Sequence, residues 1–155
     1  MKQYIEKMLN FLRKRDGNIM AEFAIGSGLL VAAFTGTFQF GYTFLQYNNL
    51  QNAVARGARY ASLVPYDSPT STPSTAFSTA VKNMVLYGSP AAGTTPVLPG
   101  LTAGNINVTV TFANGIPSVV TVSINGYSIN SIFAANTLSN KPKVAYTYQG
   151  IWSPI

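Results

Sequence analysis

Apolar and polar positions change their rhythm three times along the chain. From Phe23 through Ala55 there is no charge, and Phe23 to Leu45 is almost wholly apolar or small. About 20 such residues, each rising 1.5 Å, cross a bilayer core, so this run predicts a membrane-spanning helix. Gln39 and Gln46 are its amides, and Thr35, Thr37 and Thr43 are placed to bond back to helix carbonyls. Beyond it the helical period continues, with Tyr47, Leu50, Val54, Ala58 and Ala61 on one stripe and Asn52, Arg56 and Arg59 on the other side. The helix is expected to run unbroken to about Leu63, where Pro65 prevents continuation and Ser68 to Thr75 reads as a loop. A rod from Met20 to Leu63 is on the order of 65 Å long, more than any bilayer, so its last turns are expected to stand outside.

A second amphipathic helix is predicted over Ala76 to Tyr87, where Phe77, Val81 and Met84 share a face. Ser74 or Thr75 caps its start and Gly88 its end, and it is expected to fold back on the first helix. After the turn-rich Ser89 to Gly104 the period becomes two. Ile106, Val108, Val110 and Phe112 alternate with Asn107, Thr109 and Thr111, Asn114-Gly115 supplies a turn, and Val120, Val122 and Ile124 continue a second strand to Asn125-Gly126. Lys143 to Gln149 is a third, with Val144, Tyr146 and Tyr148 in alternation. Three antiparallel strands with one apolar face need a cover, which the two helices can supply. Ahead of the span, Tyr4, Ile5, Met8, Phe11 and Leu12 recur on one helical face with Lys7 and Lys14 opposite. That segment reads either as an amphipathic helix in the headgroup layer or as a basic leader without fixed structure.

The expected fold class is therefore α+β: a long N-terminal transmembrane helix continuing outside the membrane, a short second helix and a small antiparallel three-stranded sheet. The expected divisions are a basic cytoplasmic leader (1–17), the transmembrane helix (18–45), its extension (46–63) and an extracytoplasmic α+β domain (64–155).

Composition narrows the chemistry. Charged residues are 9% of the chain, against roughly 25% in ordinary soluble domains. The net charge of +6 is concentrated, since Lys2, Lys7, Arg13, Lys14 and Arg15 are half of the ten basic residues. A basic cluster before an apolar run holds that end in the cytoplasm, which argues against nucleic-acid binding. Without Cys or His, disulfides, thiolate or imidazole zinc sites and His-based triads are excluded. Only Glu6, Asp16, Glu22 and Asp67 carry carboxylates, too few and too scattered for paired acid/base work. The chain is not expected to be an enzyme or to hold a metal or cofactor.

The informative residues lie at the membrane boundary, in Arg13-Lys14-Arg15-Asp16-Gly17-Asn18-Ile19-Met20-Ala21-Glu22-Phe23. A carboxylate at the start of a span is costly, so Glu22 is a functional candidate. Within the span, Ala24, Gly28, Ala32 and Gly36 form a row of small residues four apart, which permits close helix packing in lipid. The boundary run resembles the processing site of type IV prepilins. By that resemblance a membrane aspartyl peptidase cuts after Gly17 on the cytoplasmic face, Asn18 becomes the N-terminus, and Glu22 is the fifth residue of the mature chain. Cutting there removes the basic anchor, and in a filament Glu22, beside Phe23, could neutralise the amine of a neighbouring Asn18 and set register. Other readings stand beside it: Gly17-Asn18 as a helix-start turn with Glu22 near the positive end of the helix dipole, an uncut anchor, or a secretory signal with Ala53-Val54-Ala55 as its cleavage site. The apolar span is too long for the last.

Downstream, Glu22-Phe23-Ala24, Phe40-Gly41, Leu50-Gln51-Asn52-Ala53 and Gly57-Ala58-Arg59-Tyr60-Ala61 together resemble TadE-like proteins, the pseudopilins or minor pilins of the tight-adherence (Tad, Flp) pilus machinery. The likeness covers about residues 13 to 63. Two positions depart from it: Gly28 stands where the family often has Pro, and Gln39 where it often has Glu before the Phe-Gly pair. The resemblance implies a single-pass protein of the bacterial inner membrane, N-terminus inside and C-terminal domain periplasmic or extracellular, that passes into a pilus. Its implied partners are other pilin and minor-pilin subunits, the prepilin peptidase, the inner-membrane assembly platform and the lipid bilayer. The alternatives are a main filament subunit, or a membrane-anchored adhesive or binding module using Tyr127, Tyr146, Tyr148 and Trp152. Asn105 to Phe112 is also a candidate for strand exchange with another subunit.

Overall fold

A computed structural model describes residues 2–12, 15–130 and 135–154, with the side chains of 8–12 and 15–18 outside the description. Arg13 and Lys14, part of the basic cluster, lie outside the described residues, as do the side chains of Met8, Phe11, Leu12 and Arg15. The chain divides into two compact units, Met1–Gly41 and Tyr42–Ile155. The elements in chain order are α1 (Lys2–Leu12), α2 (Arg15–Leu63), α3 (Thr75–Tyr87), a 3-10 turn (Ala103–Asn105), β1 (Ile106–Ala113), β2 (Ile116–Ile124), β3 (Tyr127–Asn130), β4 (Ala135–Leu138) and β5 (Lys143–Thr147).

The first unit is helical. The spacing of Tyr4 and Ile5 predicts an apolar face on the leader, and the segment is indeed a helix; both residues are exposed. Helix α2 starts at Arg15, inside the expected leader, so Gly17 and Asn18 are helical and the turn reading of that pair does not hold.

The second unit is the α+β domain. Its part of α2 buries Leu50, Val54, Ala58 and Ala61 of the stripe expected from the period, with Tyr47 only half-buried and Ala53 buried as well, and with Asn52, Arg56 and Arg59 exposed. Helix α3 starts one residue earlier than expected. Ser74 caps it by accepting from Phe77 N–H at 3.1 Å, and Gly88 ends it in the left-handed region at φ 72°. Both ends follow from side-chain chemistry: Ser satisfies an orphan donor, and Gly meets no steric cost at positive φ. The helix folds back on α2, where Gly57 leaves room: a Cβ there would collide with Val85. Val81 and Val85 are fully buried beside it, and Phe77 nearly so.

The sheet order is β1-β2-β5, antiparallel throughout. Asn114 (φ 53°) and Gly115 (φ 79°) turn β1 into β2, the backbone that Asn-Gly accommodates most easily in a two-residue hairpin. Ile106, Val108 and Val110 face Ile124, Val122 and Val120 across the ladder, and all six are buried. A bulge between Thr111 and Phe112 shifts the register so that Phe112 opposes Pro117. A bulge also accommodates a Pro that cannot donate to the ladder.

Sequence periodicity missed a second sheet, the hairpin β3–β4, which pairs Tyr127 with Leu138 and Ile129 with Asn136. Each strand is only four residues long, too short for alternation to stand out, yet Tyr127 and Ile129 enter the core.

The C-terminal segment ties the domain together. Gln149 N–H donates to Ser62 O at 2.8 Å, and Tyr148 Oη to Val64 O at 2.9 Å and Ile151 O at 2.8 Å. Tyr66 N–H donates to Ile151 O and Ser153 N–H to Tyr66 O, both at 2.9 Å. Fully buried Tyr66 meets Phe77, Phe112 and Tyr148 edge-on, with centroids 5.1, 6.0 and 6.2 Å away. Gly150 permits the approach, since a Cβ there would press on Val64 O and the Tyr148 hydroxyl.

Burial raises the pKa of Tyr66, Tyr127 and Tyr148 above the usual 10.0. All three hydroxyls donate to backbone carbonyls, of Thr70 (2.7 Å), Pro99 (3.1 Å) and Val64 respectively. Their contribution to stability is complete below pH 10 and is lost as pH rises through the raised folded values, because the unfolded tyrosines ionise first. Circular dichroism of the detergent-solubilised chain is therefore expected to show the domain losing stability above about pH 10, less steeply in Tyr148→Phe. That variant loses about 1 kcal/mol at neutral pH with its hydrogen bonds. Gly57→Leu is expected to lower stability by about 1–3 kcal/mol through overpacking against α3, read by thermal unfolding.

Candidate functional site

The sequence points to the apolar part of α2 and its cytoplasmic boundary. Among the described residues, one helix is long and apolar enough to cross a membrane; the span runs Ile19–Leu63 and its most apolar window has a mean hydropathy of 1.6. None of that window is buried. Phe23, Leu29, Phe34 and Phe40 are each more than 70% exposed. A water-soluble monomer rarely leaves so continuous an apolar surface uncovered, so this surface calls for lipid or other helices.

Polar groups in the span are handled locally. Ser27 Oγ donates to Ala24 O and Thr37 Oγ1 to Ala33 O, both at 3.0 Å, as expected for Thr37. Back-bonding of this kind removes the cost of a bare hydroxyl in hydrocarbon. Phe34 and Phe38, one turn apart, stack with centroids 6.4 Å apart.

Glu22 and Phe23 are exposed near the start of α2. Gly17 and Asn18 lie in the same helix, one turn before Glu22, with the side chain of Asn18 outside the described residues. Ala24, Gly28 and Ala32 are exposed and Gly36 half-buried, and a Cβ added at Gly28 or Gly36 would meet nothing within 4 Å. The small row is thus open within the chain. Its glycines are not required by any contact the subunit makes with itself.

The secretory alternative meets an obstacle in the fold. Ala53 and Val54 are fully buried inside the domain, and cleavage after Ala55 would strip Leu50, Ala53 and Val54 from its core. Of the four aromatics considered for adhesion, Tyr127 is buried and Tyr148 is packed against the core. Tyr146 is 40% exposed, and Trp152, 36% exposed, donates Nε1 to Ser68 O at 3.1 Å and meets Phe112 edge-on. Only Tyr146 and Trp152 remain at the surface.

Sequence reasoning assigned no role to the polar side of α2 in the domain. Asn49, Asn52, Arg56 and Arg59 line a cleft there, and their spacing of three, four and three residues was the available signal.

The family model described as TadE-like protein matches residues 17–59, from Gly17 through Arg59, which takes in Leu50, Ala53, Val54 and Ala58 of the buried stripe of α2. No curated protein and no solved structure gives a match to the chain. The matched region holds the boundary run from Gly17 onward, the small row and most of the helix extension, while the sheet lies outside it. An exposed apolar helix that fits a single-pass membrane anchor, and a TadE-like family model matched over residues 17–59, make this part of the chain similar to TadE-like proteins, a structural family of minor pilins associated with the Tad pilus.

Proposed function

We propose that this chain is a TadE-like minor pilin, made as a precursor with its leader in the cytoplasm and its C-terminal domain on the far side of the bacterial inner membrane. A prepilin peptidase cuts after Gly17, and the helix then passes from lipid into a Tad/Flp-type pilus that serves surface adherence. The observation that carries the reading is the uncovered apolar part of α2 with a carboxylate, Glu22, at its start. Lipid offers no hydrophobic drive between helices, so association relies on close packing along Ala24, Gly28, Ala32 and Gly36 and on polar pairing. Processing frees the α-amino group of Asn18, and Glu22 of a neighbouring subunit pairs with it. Two charges costly by themselves in an apolar bundle become one compensated pair, which fixes the axial register.

N-terminal sequencing of the membrane-extracted protein tests the processing step. It is expected to start at Asn18; a start at Met1 in cells with an active prepilin peptidase overturns the reading. Glu22→Ala is expected to be cut normally yet to fall by about tenfold or more in sheared filaments, the scale of losing one partner of a buried pair. Gly28→Leu with Gly36→Leu is expected to leave the domain folded, since nothing in the subunit contacts either position, while reducing co-purification with partner pilins. The ratio of this chain to the main subunit in those filaments separates a minor from a main pilin.

A further inference from the structure

The domain's charges are one-sided. From Tyr42 onward the chain has Arg56, Arg59, Lys82, Lys141 and Lys143 against a single acidic side chain, Asp67, whose Oδ2 accepts from Ser74 Oγ at 2.7 Å. Two of those cations share one cleft of about 540 Å³, lined by Asn49, Asn52, Arg56, Arg59, Val97 and Tyr146. The four helical residues fall on one stripe of α2, all exposed, opposite the stripe that enters the core. Val97 comes from the loop after α3, held by its N–H to Leu86 O at 2.7 Å, and Tyr146 from β5.

Arg56 has a structural share in this arrangement. Its Nη1 stands 3.6 Å from where a Cβ on Gly88 would be, at the end of α3 where the helix dipole favours a cation. The guanidinium thus lies beside the end of α3. Arg59, one turn further on, lines this cleft and a smaller neighbouring one of about 330 Å³ beside Tyr146 and Gln149. Arginines present planar forks suited to two-point recognition of carboxylates, and the Asn amides and the Tyr hydroxyl add neutral donors.

We propose that this cleft binds the carboxylates of an acidic segment on a different chain. The domain of a second copy offers no acidic segment, because Asp67 is its one acidic side chain and is held by Ser74. Docking at the cleft is therefore heterotypic. The reading of the chain as a pilin adds only that the acidic segment belongs to another pilus subunit; the cleft's chemistry does not depend on it.

The test is fluorescence anisotropy of a labelled hexaglutamate peptide with the full-length chain in neutral detergent micelles. Binding is expected, weakening as salt is raised toward 0.5 M, with Arg59→Gln reducing affinity about tenfold or more and Lys141→Gln leaving it nearly unchanged. Arg56→Gln is expected to act likewise, and thermal unfolding of each variant separates lost binding from a loosened α3. An unbound peptide, or an equal loss in Lys141→Gln, overturns the proposal. So does a chain that takes up phosphatidylglycerol in the same micelles, dependent on Arg59, while ignoring the peptide; the cleft would then be a lipid-phosphate site. A chain that starts at Met1 but binds the peptide removes the pilin reading alone. One that starts at Asn18 and does not bind removes the cleft alone.

Discussion

The end of α2 is the point on which the domain depends. A helix leaves its last carbonyls without intrahelical donors, and here the chain's C-terminal segment supplies them: Gln149 N–H to Ser62 O and Tyr148 Oη to Val64 O. The same segment bridges Tyr66 through Trp152 and sets the Tyr148 ring edge-on against it. With no cysteine available for a disulfide, these bonds and the aromatic cluster do the closing, joining residues 84 apart in sequence. The sheet, the loop after α2 and the C-terminal segment are positioned from that junction.

Side-chain size governs what packs on the remainder of the helix. The buried stripe contains Ala53, Gly57, Ala58 and Ala61 as well as Leu50 and Val54, so α3 approaches α2 closely at Gly57. α3 and β2 add Val81, Val85, Val120 and Val122, each fully buried. Each such side chain contributes about 1.5–3 kcal/mol by leaving water, which offsets the small contact area of the helix itself.

The first unit has the opposite character. Its part of α2 is uncharged from Phe23 on and, among the described residues, buries none of its most apolar window, with the Ser27 and Thr37 hydroxyls turned back onto the helix's own carbonyls. Small residues there face open space, whereas the small residues of the second unit face neighbours already in place. In our reading that difference separates a surface built for association with other subunits from one built for folding. Chemistry adds a third surface, the basic cleft, for which charge rather than apolar area selects the partner.

Most elements were legible from local rules. Period 3.6 through Ala61, Pro65, the Ser74 and Gly88 caps, the Asn114-Gly115 turn and period two in β1 and β5 each act within a few residues, so spacing alone revealed them. The boundary motif stands out in one dimension as a carboxylate, Glu22, directly before an uncharged span, and its role belongs to the proposal. Tertiary structure decided the rest. The hairpin β3–β4 exists because Tyr127 and Ile129 find a core to enter, the cap on α2 joins residues far apart in sequence, and the arginines form a cleft only where β5 brings Tyr146 beside them. Such features arise from where distant segments meet, and periodicity carries no record of that.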